Sequence, residues 1–155
     1  MYGEITTIEQ LNGFKLGNNA PMTGKNGAQL GMMSMLNTLG GGRSMDGYKV
    51  TTKDHAFLVL IDNGQSCCES WGYMASEDKL DDFIGADLRE VTLTDTALNT
   101  MKMDDVYIGD GGIQFVNFET SRGTLQLAVY NGHNGYYGHG IIVAIDDKII
   151  CDNTL

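Results

Sequence analysis

Proline is nearly missing from this chain, with one residue, and tryptophan and cysteine are scarce, with one and three. Scarce proline leaves the turns to the 21 glycines, which adopt positive φ at no steric cost. That balance disfavours long helices and favours strands joined by tight turns. Basic residues are few as well: ten Lys and Arg stand against 20 Asp and Glu, a net charge of −10. A protein that grips nucleic acid carries a basic footprint, and these ten cations are not clustered, so no direct nucleic-acid binding is expected. No apolar run approaches the roughly 18 residues of a membrane helix, so no membrane partner is expected. The opening MYGEITTIEQL lacks the basic flank and apolar run of a secretory leader. With cysteines read as reduced thiols, the expected site of action is a cytoplasm. The three cysteines make an odd count, and Cys67 and Cys68 are adjacent, where a disulfide would be strained.

At 155 residues the chain is long enough for one domain, 1–155, with its own core. Residues 17–47, rich in Gly, Asn and Met, read as an insertion or loop segment, with a helix over Ala28 to Leu39 as an option. Ahead of it, Ile5 to Ile8 is β-prone and Asn12-Gly13 signals a turn. Residues 48–62 are the clearest hairpin: Tyr48 to Thr51, a turn at 52–54, then His55 to Asp62. The unbroken apolar run Ala56 to Ile61 predicts a central strand buried on both faces. Ser76-Glu77-Asp78 resembles a helix start, and Leu80, Phe83 and Ile84 would share one face before Gly85 stops the helix. Further strands are expected at 87–95, where Leu88, Val91 and Leu93 require a bulge to share a face, and at 106–108, 113–120, 124–130, 140–146 and 148–151. The expected fold class is α+β: a mainly antiparallel, strongly curved sheet with one or two short helices.

Two short stretches concentrate chemistry. GQSCCESWGY at 64–73 holds the only Trp, two of the Cys and Glu69, and NGHNGYYGH at 131–139 holds two of the three His. Zinc is one reading of Cys67, Cys68, His133 and His139, but neither a C-x-x-C pair nor a His spacing of a structural knuckle is present. A Cys–His nucleophile is a second reading, without a protease signature around either Cys. A ligand pocket is the third. Trp71, Tyr73, Tyr136 and Tyr137 offer stacking faces, and Ser66, Glu69, Asn131, His133, Asn134 and His139 offer hydrogen bonds. Arg43, beside three glycines at 40–42, and Arg122 supply cations for an anionic group. Tyr136 and Tyr137 sit in a polar loop, where core packing explains them poorly. Free cysteines more often fill a core than react.

These stretches also carry a resemblance. DNGQSCCESWGY at 62–73, SEDKLDDFIGADL at 76–88 and TLQLAVYNGHNGYYGH at 124–139 are similar to a family of small uncharacterised proteins from bacteriophages and prophages of Gram-positive bacteria. The resemblance spans roughly residues 48–145 and implies no reaction and no catalytic residue. It implies a phage setting, in which small orphan proteins often counter host defence. The expected function is therefore a non-enzymatic sponge, acting in the host cytoplasm as a homo-oligomer without cofactor or metal, that sequesters a small nucleotide-like immune signal. Two alternatives stand beside it: an acidic inhibitor that docks on a host defence protein, and a Cys–His hydrolase of such a signal.

Overall fold

Alternating and continuous apolar runs become nine antiparallel strands in the computed structural model, which describes residues 1–15, 44–63, 70–98, 112–132, 139–146 and 148–155. They are β1 (Gly3–Lys15), β2 (Ser44–Thr52), β3 (Ala56–Asp62), β4 (Ser70–Ala75), β5 (Asp87–Thr94), β6 (Gly112–Thr120), β7 (Gly123–Gly132), β8 (Gly140–Ile145) and β9 (Lys148–Thr154). They form one open sheet in the order β4-β7-β6-β5-β1-β2-β3-β8-β9. The long β1 joins the two halves. It pairs with β2 along most of its length and with β5 only through Gly3 and Glu4.

The sheet turns back over its own inner face. Tyr48, Val50, Phe57, Val59, Ile61, Ile141 and Val143 of one half pack in one cluster with Leu88, Val116, Phe118, Leu125, Leu127 and Val129 of the other. Each such side chain, fully buried, stabilises the fold by about 1.5–3 kcal/mol. The opposite face of β3 is buried too, since Ala56, Leu58 and Leu60 join Met45, Ile142 and Ala144 in a second cluster. The strand expected at Ala56 to Ile61 thus has no solvent-facing side, as its continuous apolar run requires.

The α+β expectation is corrected: the described residues are almost wholly antiparallel sheet, and the helix expected from Ser76 is only a 3₁₀ turn, Leu80–Phe83. The reason is local. Ser76 does not cap; its hydroxyl accepts the Gln126 N–H at 3.0 Å while its own N–H donates to the Gln126 carbonyl at 2.8 Å. Its polar groups are therefore spent on extending the β4–β7 ladder. Lys79 stands at the cap position with no side-chain cap bond, and of the turn only Phe83 is buried. The helix option at 28–39 and the strand at 106–108 lie outside the described residues.

Other boundaries move for similarly physical reasons. Asn12-Gly13 is not a hairpin turn. Gly13, at φ 72°, sits where the β1–β2 register shifts, and its N–H donates to Asp46 Oδ1 at 2.9 Å, so β1 continues past it. The insertion expected to reach residue 47 ends earlier, because Ser44 to Gly47 already belong to β2. The stretch around Trp71, to which the sequence assigned no element, supplies β4. The bulge expected in β5 falls between Leu88 and Glu90.

Gly47 is where the strands leave no room for a side chain. Its φ is 149°, and a Cβ there would lie 2.0 Å from the Val59 carbonyl oxygen, which is backbone and cannot swing away. Gly47→Ala should lower stability by about 3 kcal/mol or more in urea unfolding. Gly123→Ala, at φ 111° with nothing within 4 Å, should cost about 1 kcal/mol from backbone strain alone. Equal losses at the two sites would refute the close approach at Gly47.

Burial pushes the Tyr48 phenol up from its ordinary 10.0, with Tyr73 and Tyr130 adding to the effect. The folded state therefore keeps this proton more firmly than the unfolded chain does. The stabilisation is fully present below the unfolded value and is lost as pH rises past about 10 toward the folded value. Unfolding free energy should decline across that alkaline range, and Tyr48→Phe should flatten the decline.

Candidate functional site

Two connections cross between the halves of the sheet, and strand pairing fixes where each begins and ends. Residues 64–69 lead from β3 to β4, and residues 133–138 lead from β7 toward β8. Because β3 pairs with β8, and Ile61 faces Ile141, the two connections share one bank. Because β4 pairs with β7, and Ser70 faces Gly132, they share the other bank as well. Paired residues lie about 5 Å apart at Cα. The two chemistry-bearing segments, about seventy positions apart in sequence, are thus anchored beside one another at both ends.

The anchors are bonded to each other. Trp71 is the register partner of Asn131, and its indole stacks on the His139 ring with centroids 5.6 Å apart and planes 27° apart. His139 is 4% exposed and its Nδ1 lies 2.6 Å from the Asp62 carbonyl. A carbonyl only accepts, so Nδ1 carries the proton. The backbone of His139 exchanges two hydrogen bonds with Leu155, at 2.9 and 2.8 Å. Asn131, fully buried, donates from Nδ2 to the Leu155 carbonyl at 3.0 Å. Each of these bonds lies within the protein, so the described part of the junction is a scaffold that fixes the ends of 64–69 and 133–138.

The remaining site residues divide by position. Tyr73 donates its hydroxyl to Asn12 Oδ1 at 3.1 Å and sets its ring edge-on to Tyr48 at 5.2 Å, so it bridges the two halves of the sheet. Arg122 is far from the junction. It stands in the β6–β7 turn, and the nine residues from there to Asn131 span about 30 Å of strand. Its Nη1 donates to the carbonyls of Asp82 and Ile84, at 2.8 Å each, and closes the end of the 3₁₀ turn. Arg43, Ser66, Glu69, His133, Asn134, Tyr136 and Tyr137 lie outside the described residues, as do Cys67 and Cys68. Ser44, the first described residue after Arg43, is tied to Asn63. Ser44 accepts hydrogen bonds from Asn63 through its carbonyl at 3.2 Å and its hydroxyl at 2.9 Å, and Asn63 immediately precedes 64–69. The third cysteine, Cys151, is half-buried, and burial, with Asp152 beside it, raises its thiol above the ordinary value. That suppresses the reactive thiolate.

One arrangement escaped the sequence. At the far end of the β3–β8 pair, His55 Nδ1 meets Asp146 Oδ2 at 2.5 Å, and Asp146 Oδ1 accepts the Ala56 N–H at 2.9 Å. The partners are 91 residues apart. His55 is the one histidine outside the chemical segments, and only the β3–β8 register brings it to Asp146. The sequence signal was limited to the tight turn at 146–147.

The family described as a domain of unknown function (DUF7448) matches residues 5–143, from Ile5 in β1 to Val143 in β8. The chain belongs to that family. No curated protein and no solved structure matches it.

Two substitutions separate scaffold from ornament at these positions. His139→Ala removes a buried hydrogen bond and a ring stack, and should lower stability by about 2–4 kcal/mol in urea unfolding with a shift in Trp71 emission. Arg122→Ala removes two exposed carbonyl contacts, and should cost about 1 kcal/mol with Trp71 emission unchanged. A His139→Ala protein as stable as the wild type, with the same emission, would contradict the junction.

Proposed function

We propose that this DUF7448 protein is a non-enzymatic binder that sequesters a small nucleotide-derived immune signal, serving a phage against its host in the host cytoplasm. The observation that supports this is the side-by-side anchorage of 64–69 and 133–138 by two strand pairings. It brings the ends of two segments that are far apart in sequence next to each other. On this reading Tyr136 and Tyr137 stack on the base, and Ser66, Glu69, His133 and Asn134 read its edges. Trp71 and His139 hold the two segments in place and do little of the contacting. Arg43, continuous with the strand tied to Asn63, takes the anionic group, and Arg122 drops out of the site because it is occupied at the other end of β7. In the proposed homo-oligomer the Gly-rich segment of a neighbouring copy completes the pocket.

A sponge must bind with Kd near or below roughly 10 nM, about −11 kcal/mol. Stacked rings at about 1–3 kcal/mol each and charge-assisted hydrogen bonds are enough to reach that. Mass spectrometry of the protein mixed with cyclic dinucleotides, cyclic oligonucleotides and ADP-ribose derivatives, native and after denaturation, tests the proposal. A retained, unaltered nucleotide is expected. Tyr136→Ala and Tyr137→Ala should each weaken retention about tenfold or more at unchanged urea midpoint. An altered nucleotide would replace the sponge by a hydrolase using Cys67 or Cys68.

The net charge of −10 favours one second reading, an inhibitor that docks on a basic groove of a host defence protein. It requires no retained nucleotide, together with capture of a single host protein whose binding falls steeply with salt.

A further inference from the structure

The His55–Asp146 pair stands at the opposite end of β3 and β8 from the junction, about 20 Å along the strands. Asp146 turns the chain from β8 into β9 at φ 52°, a left-handed conformation that glycine or asparagine takes more readily. What an aspartate adds there is its carboxylate, and both oxygens are used: Oδ1 on the Ala56 N–H and Oδ2 on His55. The imidazole is further held edge-on by Tyr2, with centroids 5.2 Å apart at 88°, and lies beside Phe57. A carboxylate acceptor keeps the proton on Nδ1, so Nε2 is the ring atom left for another partner. Among the described residues no hydrogen bond is made by Nε2, and the side chain keeps 33% of its exposure.

His55 and Asp146 border an open cleft of about 440 Å³, together with Tyr2, Val91, Ile145, Lys148 and Ile150. That volume is in the range of small-molecule sites, roughly 300–1,000 Å³. Its surfaces are of two kinds. Val91, Ile145, Ile150 and the Tyr2 ring form an apolar wall. Opposite in character are an imidazole and the Lys148 ammonium, which has no ion pair among the described residues. Among the described residues the one carboxylate in the cleft, Asp146, has both oxygens engaged. An ammonium and an imidazole beside an apolar wall, on a chain of net charge −10, set this cleft apart from the general surface.

We infer that this cleft is a second binding site, for a small organic anion: a carboxylate or phosphate head carried on a compact apolar body. The head bonds to the Lys148 ammonium and to His55 Nε2, which donates from the doubly protonated ring. The body packs on Val91, Ile145 and Ile150. Asp146 and Tyr2 act as positioning residues, because they orient the imidazole and do not touch the head. The site is independent of the nucleotide proposal, since no residue is shared between the two.

The test is NMR titration of the uniformly ¹⁵N-labelled full chain with four probes: benzoate, phenyl phosphate, inorganic phosphate and benzyl alcohol. Benzoate or phenyl phosphate should shift the His55 ring nitrogens and the Val91 and Lys148 amides, with Kd of about 1 mM or tighter. Inorganic phosphate, which lacks the body, and benzyl alcohol, which lacks the charge, should each bind at least about tenfold more weakly. Which organic anion binds more tightly identifies the head. Lys148→Met, a change at an exposed position, should weaken the better probe about fivefold or more with an unchanged melting temperature, and His55→Gln should weaken it about as much. The inference is overturned if neither organic anion moves these resonances, if the shifts fall instead around Trp71, if benzyl alcohol binds as well as the anions, or if Lys148→Met binds like the wild type.

Discussion

A strand pair with no solvent-facing side holds this molecule together. From Leu58↔Ala144 to Ile61↔Ile141, β3 and β8 are buried on both faces, with one apolar cluster between the halves of the sheet and a second behind. A one-residue slip would exchange the two faces along the whole pair, so the register is strongly specified. Each end of the pair is then closed by a histidine. His139 donates to the last β3 residue, Asp62, at one end, and His55 meets Asp146 at the other. Both proposed sites sit at these closures, and each inherits its geometry from the same register.

The junction at the His139 end shows how a sheet with few tight turns assembles a surface. Two connections that cross between sheet halves run between the same banks because the strands they join are paired with each other. Asn131 Nδ2 and the His139 backbone both bond to Leu155, and Trp71 covers His139. Arg122, by contrast, is engaged as a cap on the 3₁₀ turn, and its charge has no part in the junction.

Where the sequence was informative, local chemistry and tertiary demand coincided. The hairpin over 48–62 was legible because a continuous apolar run, a polar turn and β-branched residues all favour one outcome. The bulge in β5 was legible because Leu88, Val91 and Leu93 cannot share a face without one. The helix at Ser76 was misread because its cap hydroxyl is claimed by Gln126, fifty positions away, a competition that no local pattern reveals. β4 was not called from the sequence, because Gly72 and the flanking polar residues weaken the strand signal. In the fold, the Tyr130 ring takes the space over that glycine, where a Cβ would come within 2.6 Å of its hydroxyl. The candidate segments were legible as chemistry but not as neighbours, since adjacency depends on two non-local pairings. His55 and Asp146 were each ordinary in sequence and acquire meaning only in register.

The central claim is that 64–73 and 131–139 meet, and the chain's single tryptophan allows a direct test. Its indole resonances need no mutagenesis to assign. Nuclear Overhauser spectra of the folded protein should give cross-peaks from the Trp71 ring to the His139 ring, and from the Trp71 amide region to Asn131. Trp71 cross-peaks confined to its own strand, with none to His139 or Asn131, would contradict the pairing on which both the junction and its proposed function rest.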